Sequence, residues 1–191
     1  MPQYLRSWHR RPAVSRGQGA RRYAGRMSVP VTVLRTHLHY TTWASARIVE
    51  AAAALSPEEL TRDHKSADKS VLGTLAHIYA ADRMWLGRIQ GAPPAVFFDP
   101  AVDLQWPVVQ HEWPALLARW EAWGDALQDA SVSVAYHDLK GNPYSTPLWQ
   151  IVLHVVNHGT HHRGQVSAMI RAMGHSPPPL DLIRYYREVG G

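Results

Sequence analysis

Apolar residues recur at helical spacing in four long stretches of the chain. In the first, Leu34, Leu38, Thr41, Ser45, Ile48, Ala52 and Leu55 share one stripe, which predicts a helix over about 31–55. The second carries Leu75, Ile78, Asp82, Trp85 and Ile89 on its main stripe. It predicts a helix over about 70–90, stopped by Gly91-Ala92-Pro93-Pro94. In the third, about 109–128, Trp113, Leu116, Leu117, Trp120, Trp123 and Leu127 recur at three and four, and we read this aromatic stripe as core. The fourth, from Pro147 to about Met173, carries Ile151, Val155, Val166, Met169 and Met173, and Gly174 follows as its stop.

The connections have their own signals. Ser56, Pro57 and Glu59 form the pattern of a capping box opening a short turn over 57–62, which leads into a polar connection, 62–69. Residues 91–108 read as a Pro-rich loop packed down by Phe97, Phe98 and Trp106. Residues 131–146 alternate around a Gly141-Asn142 turn and predict a small hairpin. Thr146 is expected to cap the fourth helix, with Pro147 at its first position, and 180–189 to form a short final helix. Four long helices of similar length predict an all-α fold, a four-helix bundle with a small hairpin between helices 3 and 4.

Charge divides the chain. Residues 1–27 hold seven arginines and no acid, more than the whole net charge of +5, so residues 28–191 are weakly acidic. That body carries no compositional case for nucleic-acid binding. The first 27 residues lack apolar periodicity and read as a disordered basic leader, or as an extension upstream of a start at Met27. Arg10-Arg11 and Arg21-Arg22 look like twin-arginine signals, but no apolar core follows either pair. The remainder, 28–191, reads as one domain, and no apolar run reaches the roughly 18 residues of a membrane helix. With no cysteine, disulfides, thiolate metal sites and a cysteine nucleophile are excluded, and any thiol chemistry needs a thiol from outside the chain.

The candidate chemistry sits in the fourth helix. Four of the twelve histidines fall within nine residues of HVVNHGTHHRGQV, 154–166. On a helical wheel His162 lies inside the apolar stripe and His158 on its edge, while His154 and His161 point away. His158 and His162 are four apart, one turn above the other, a spacing that lets two imidazoles hold one metal ion. In a bundle, a third ligand from a facing helix would leave an open position for water or substrate. His77 lies on the flank of the second helix, about 100° from its stripe, and by itself reads as a hydrogen-bonded or half-exposed residue. Arg163 points off the stripe and is expected to pair with an acid, and His161 to be exposed. Asn157 and Gln165 lie near the pair, and Asp82 on its apolar stripe must find a partner. GxSxG, P-loop, HExxH and Glu-x-x-His patterns are absent.

Four stretches carry a resemblance: LHYTTWASARIVEAAAALSPEEL at 38–60, TLAHIYAADRMWLGRIQG at 74–91, HVVNHGTHHRGQV at 154–166 and LDLIRYYREV at 180–189. Together they resemble the DinB-like (YfiT-like) family of metal-dependent enzymes over roughly residues 31–190. The resemblance implies an up-down-down-up bundle that dimerises, with a metal held by one histidine of the second helix and an HxxxH pair on the last long helix. Carried over, the ligands are His77, His158 and His162.

Three neutral imidazoles suit Zn, Ni, Co or Fe as the divalent ion. The resemblance further implies a small-molecule substrate and a transferase or isomerase using a low-molecular-weight thiol of the mycothiol or bacillithiol type, in the cytoplasm. A metal-dependent hydrolase and a non-catalytic, damage-inducible metal-binding bundle are the alternative readings.

Overall fold

A computed structural model describes residues 28–189. The expectations for the leader, 1–27, lie outside the described residues. Four long helices dominate: α1 (Val31–Ala53), α3 (Val71–Ile89), α5 (Trp113–Ala126) and α6 (Leu148–Ala172). Single-turn helices α2 (Pro57–Thr61) and α4 (Pro100–Asp103) interrupt the loops, and α7 (Leu182–Val189) ends the described chain. A two-stranded antiparallel sheet, β1 (Ser133–His137) and β2 (Pro143–Pro147), joins α5 to α6, with Ala135 opposite Ser145. The fold is therefore all-α with one small hairpin, as the periodicity predicts.

The stripes face inward. Leu34, Leu38, Ile48 and Ala52 of α1, Leu75 and Ile78 of α3, and Ile151, Val155 and Val166 of α6 are all buried, in a core that also takes Trp113 and Trp120 of α5. Burying each large side chain contributes roughly 1.5–3 kcal/mol. Helix α6 packs along both α1 and α3, and α5 closes against α1 and α3. The aromatic stripe of α5 is core, as expected, and it also satisfies the buried acid of α3. Trp113 Nε1 donates to Asp82 Oδ2 at 2.9 Å, and Trp120 Nε1 to the Asp82 carbonyl at 3.1 Å.

Helix ends follow local chemistry, with two departures from expectation. The capping box is present: Glu59 N–H donates to Ser56 Oγ, and Ser56 N–H to Glu59 Oε2. Ser70 Oγ caps α3 through the Gly73 N–H. Gly174, at φ +90°, ends α6, with the His175 N–H returning to the Ile170 carbonyl.

Thr146, however, does not cap α6. It belongs to β2, opposite Val134, and its hydroxyl meets the Tyr136 hydroxyl. The hairpin runs into the helix without a linker, so Pro147 occupies the cap position and the first helical N–H groups go elsewhere. Leu148 donates to the Val132 carbonyl and Trp149 to the Ala130 carbonyl. The third long helix also starts differently: a π-helical turn, Val108–Glu112, precedes α5 and absorbs the first turn expected of it.

Arg163 is a further correction. It is 1% exposed, on the inner face of α6. Its guanidinium donates to the Ser45 and Thr160 hydroxyls and lies over the Tyr40 ring, with no acid in direct contact among the described residues. Gly159 makes room for it, since a Cβ there would sit 2.7 Å from an Arg163 nitrogen.

Candidate metal centre

Helices α3 and α6 bring three histidines together. His77 Nε2 lies 3.1 Å from His158 Nε2. The three ring centroids are 5.1 Å (His77–His158), 4.6 Å (His77–His162) and 4.5 Å (His158–His162) apart. One ligand nitrogen from each ring falls within 4.8 Å of the other two. Tetrahedral coordination at metal–nitrogen bonds of about 2.0–2.1 Å needs ligand nitrogens about 3.3 Å apart, so the closest pair already stands near that spacing. All three rings are part-buried.

The electrostatics suit ligation by neutral imidazole. Burial, reinforced by the neighbouring imidazoles, pushes His158 down to about 3. Burial also lowers His162, against an opposing hydrogen bond from Gln165. Both rings are therefore neutral at physiological pH, with a lone pair available to a cation.

The tautomer of His162 is set one turn further along α6. Gln165 Nε2 donates to His161 Nε2 at 3.2 Å, which turns its Oε1 towards His162 Nδ1 at 2.8 Å. With Nδ1 carrying the proton, Nε2 of His162 keeps its lone pair for the cluster. His161 is exposed, as expected, and contributes through this hydrogen bond; Asn157 is exposed and outside the cluster.

Asp68 comes from the polar connection before α3, and helical periodicity could not reveal it. Its carboxylate oxygens lie 3.7 Å from His77 Nδ1 and 3.8 Å from His162 Nδ1. These distances exceed a direct hydrogen bond. A negative charge at that position still favours the proton on Nδ1 of both rings, leaving both Nε2 atoms free. Two features hold the loop there. Lys65 and Lys69 adopt positive φ, 58° and 63°. The Asp68 carbonyl passes so close to α3 that a Cβ on Gly73 would meet it at 2.1 Å, a contact only glycine permits.

Phe97, expected only to pack down its loop, meets His77 in a T-shaped contact with ring centroids 5.7 Å apart. Arg83 of α3 anchors that loop, with Nη1 and Nη2 on the buried Asp103 carboxylate at 2.7 and 2.9 Å and Nη2 also on the Phe97 carbonyl. A cavity of about 410 Å³ opens onto His77, lined also by Asp68, Gly73, Phe97, Phe98 and Leu104. Asp82, the acid expected to need a partner, is in the core with Trp113 and takes no part in the cluster.

Fold and site together define an all-α protein with a three-histidine cluster bridging two long helices. The DinB family model matches residues 27–189, and the chain belongs to the DinB family. It is similar to Protein DinB of Bacillus subtilis (strain 168), 24% identical over 149 residues that cover 74% of this chain and 87% of that relative. Among the described residues no helix is long and apolar enough to cross a membrane.

Proposed function

We propose that this DinB-family protein is a metal-dependent enzyme in which His77, His158 and His162 hold one divalent ion of zinc, nickel, cobalt or iron. The observation that carries this reading is the convergence of three imidazole nitrogens within 4.8 Å, from two different helices. A divalent ion there would act as a Lewis acid, lowering the pKa of a bound thiol or water. Gln165 holds the proton on His162 Nδ1, and Asp68 favours the same arrangement on both His77 and His162. Phe97 and Phe98 wall the cavity by which a small molecule reaches His77.

The reaction we infer is thiol-dependent group transfer or isomerisation, the chemistry implied by the family resemblance. The thiol comes from a low-molecular-weight cofactor, because the chain has no cysteine. In the same reading, α1, α3, α5 and α6 form the up-down-down-up bundle of the family, residues 28–191 act as one domain, and the protein works as a cytoplasmic homodimer.

The test is metal content by elemental mass spectrometry on untagged protein purified without chelator, beside His77→Ala and His158→Ala. About one ion per chain is expected in the wild type and under a tenth of that in either variant, with both variants still folded by circular dichroism. A wild type that stays empty after reconstitution with zinc, nickel, cobalt and iron in turn overturns the metal centre. A non-catalytic packing role for the histidines then takes its place.

A further inference from the structure

A second cavity, about 650 Å³, does not open onto His77. It lies between the end of α3, the Pro-rich loop and the hairpin, and Met84, Arg88, Val96, Phe97, Tyr136 and Leu139 are among its walls. The two cavities share Phe97 and Phe98. They also share a helix face. Met84 is seven and Arg88 eleven residues beyond His77, each within about 20° of it around α3 at 100° per residue. Met84 and Arg88 of that face line the second cavity, His77 lines the first, and Phe97 and Phe98 stand between as walls of both. The Arg88 guanidinium lies over the Trp85 ring, 4.6 Å from the centroid.

Arg88 is the cation of this cavity, and it is built in. Its guanidinium also lies 4.9 Å from the centre of the Tyr136 ring, and Nη2 donates to the His137 carbonyl at 2.9 Å. No carboxylate stands within ion-pair distance of it among the described residues. Asp138 also lines the cavity, but its oxygens are taken by the turn, accepting from the Lys140 and Asn142 N–H groups and the Asn142 amide. The guanidinium therefore keeps donors for a planar anion. At the rim, Val96 and Leu139 are 59% and 66% exposed and form an apolar entrance.

We propose that this cavity binds a mostly apolar monocarboxylate. Its carboxylate lies on Arg88, and its body runs past Met84 and Phe97 towards the histidines. One cation beside one committed acid suits a single negative charge better than a dianionic phosphate. That such a ligand is the substrate of the three-histidine centre rests on the reading above; its binding to Arg88 does not.

The test is calorimetric titration of the full chain with 6-phenylhexanoate and with its neutral counterpart, 6-phenylhexanamide. The acid is expected to bind at least tenfold more tightly. Arg88→Met is expected to reduce the acid to the level of the amide, with metal content unchanged. Because Arg88 also packs two aromatic rings, Val96→Asp at the exposed rim serves as the second variant. It places a negative charge at the mouth and is expected to weaken the acid severalfold and leave the amide unaffected. Equal affinity for acid and amide, no binding of either, or wild-type affinity for the acid in both variants overturns the proposal. Acid-selective binding by a protein that takes up no metal would overturn the metal centre and leave this site standing.

Discussion

The histidine cluster depends on where protons sit, and single side chains outside the ligand set control that. Asp68 is the sharpest case, because one carboxylate faces Nδ1 of two rings from an otherwise irregular loop. Its backbone carbonyl accepts from the Ser70 N–H at 2.7 Å, so a side-chain change leaves the loop anchored. Asp68→Asn keeps the shape and removes the charge. Partners of this kind typically contribute 10–100-fold in metal affinity. Asp68→Asn is therefore expected to weaken zinc binding by about that factor in a competition titration against a chelating dye, with the metal-free melting temperature little changed. Unchanged affinity would show that Gln165 and the helix geometry alone orient the rings.

At the scale of elements, the site is a product of helix pairing and of two loops fastened to α3. What was legible in the sequence follows this division. His158 and His162 share a face of one helix, so spacing alone could pair them. His77 sits on another helix, and only the family resemblance joined it to the pair. Asp68 and Phe97 reach the cluster through contacts that have no period: the close pass at Gly73 and the Arg83–Asp103 pair. Arg163 was misplaced because a charged side chain off the stripe was expected to pair with an acid. Here Ser45, Thr160 and the Tyr40 face supply partners inside the core. Thr146 was misplaced because its hydroxyl, a good helix cap in isolation, is already engaged in the hairpin.

The Arg83–Asp103 pair can be tested as the fastening of the Phe97 loop. Arg83→Leu leaves the 0% exposed Asp103 carboxylate with the Asp99 N–H as its remaining partner, and because the guanidinium is part-exposed the expected cost is about 3 kcal/mol, the lower end for breaking a buried pair. The double variant with Asp103→Leu is expected to recover part of that loss in urea unfolding, because it leaves no buried charge. A double variant as unstable as Arg83→Leu would mean that the loop is held by its packing and not by the ion pair.

For the whole molecule, the buried acid and the clustered bases pull stability in opposite directions with pH. Burial raises Asp82 to about 7 from 3.8, partly offset by the Trp113 hydrogen bond and the Arg163 charge. Between those values the native state holds a proton that the unfolded chain has released. The contribution of Asp82 is thus fully present below about pH 4 and is lost as pH rises to about 7. His158, lowered to about 3, acts in the opposite sense, because the unfolded chain takes up its proton first as pH falls below 6.5. In the wild type the two slopes largely cancel over the shared range, and a stability profile of that protein alone would conceal both. Asp82→Asn keeps an acceptor for Trp113 and removes the titration. The stability of wild type minus variant, from urea unfolding of both in excess chelator, is expected to fall by on the order of 2–4 kcal/mol between pH 4 and pH 7 and to stay level above. The variant alone is expected to gain stability over the same interval as the histidines lose their protons. Parallel profiles for the two proteins would mean that Asp82 is ionised throughout, with the Arg163 charge compensating it fully across the core.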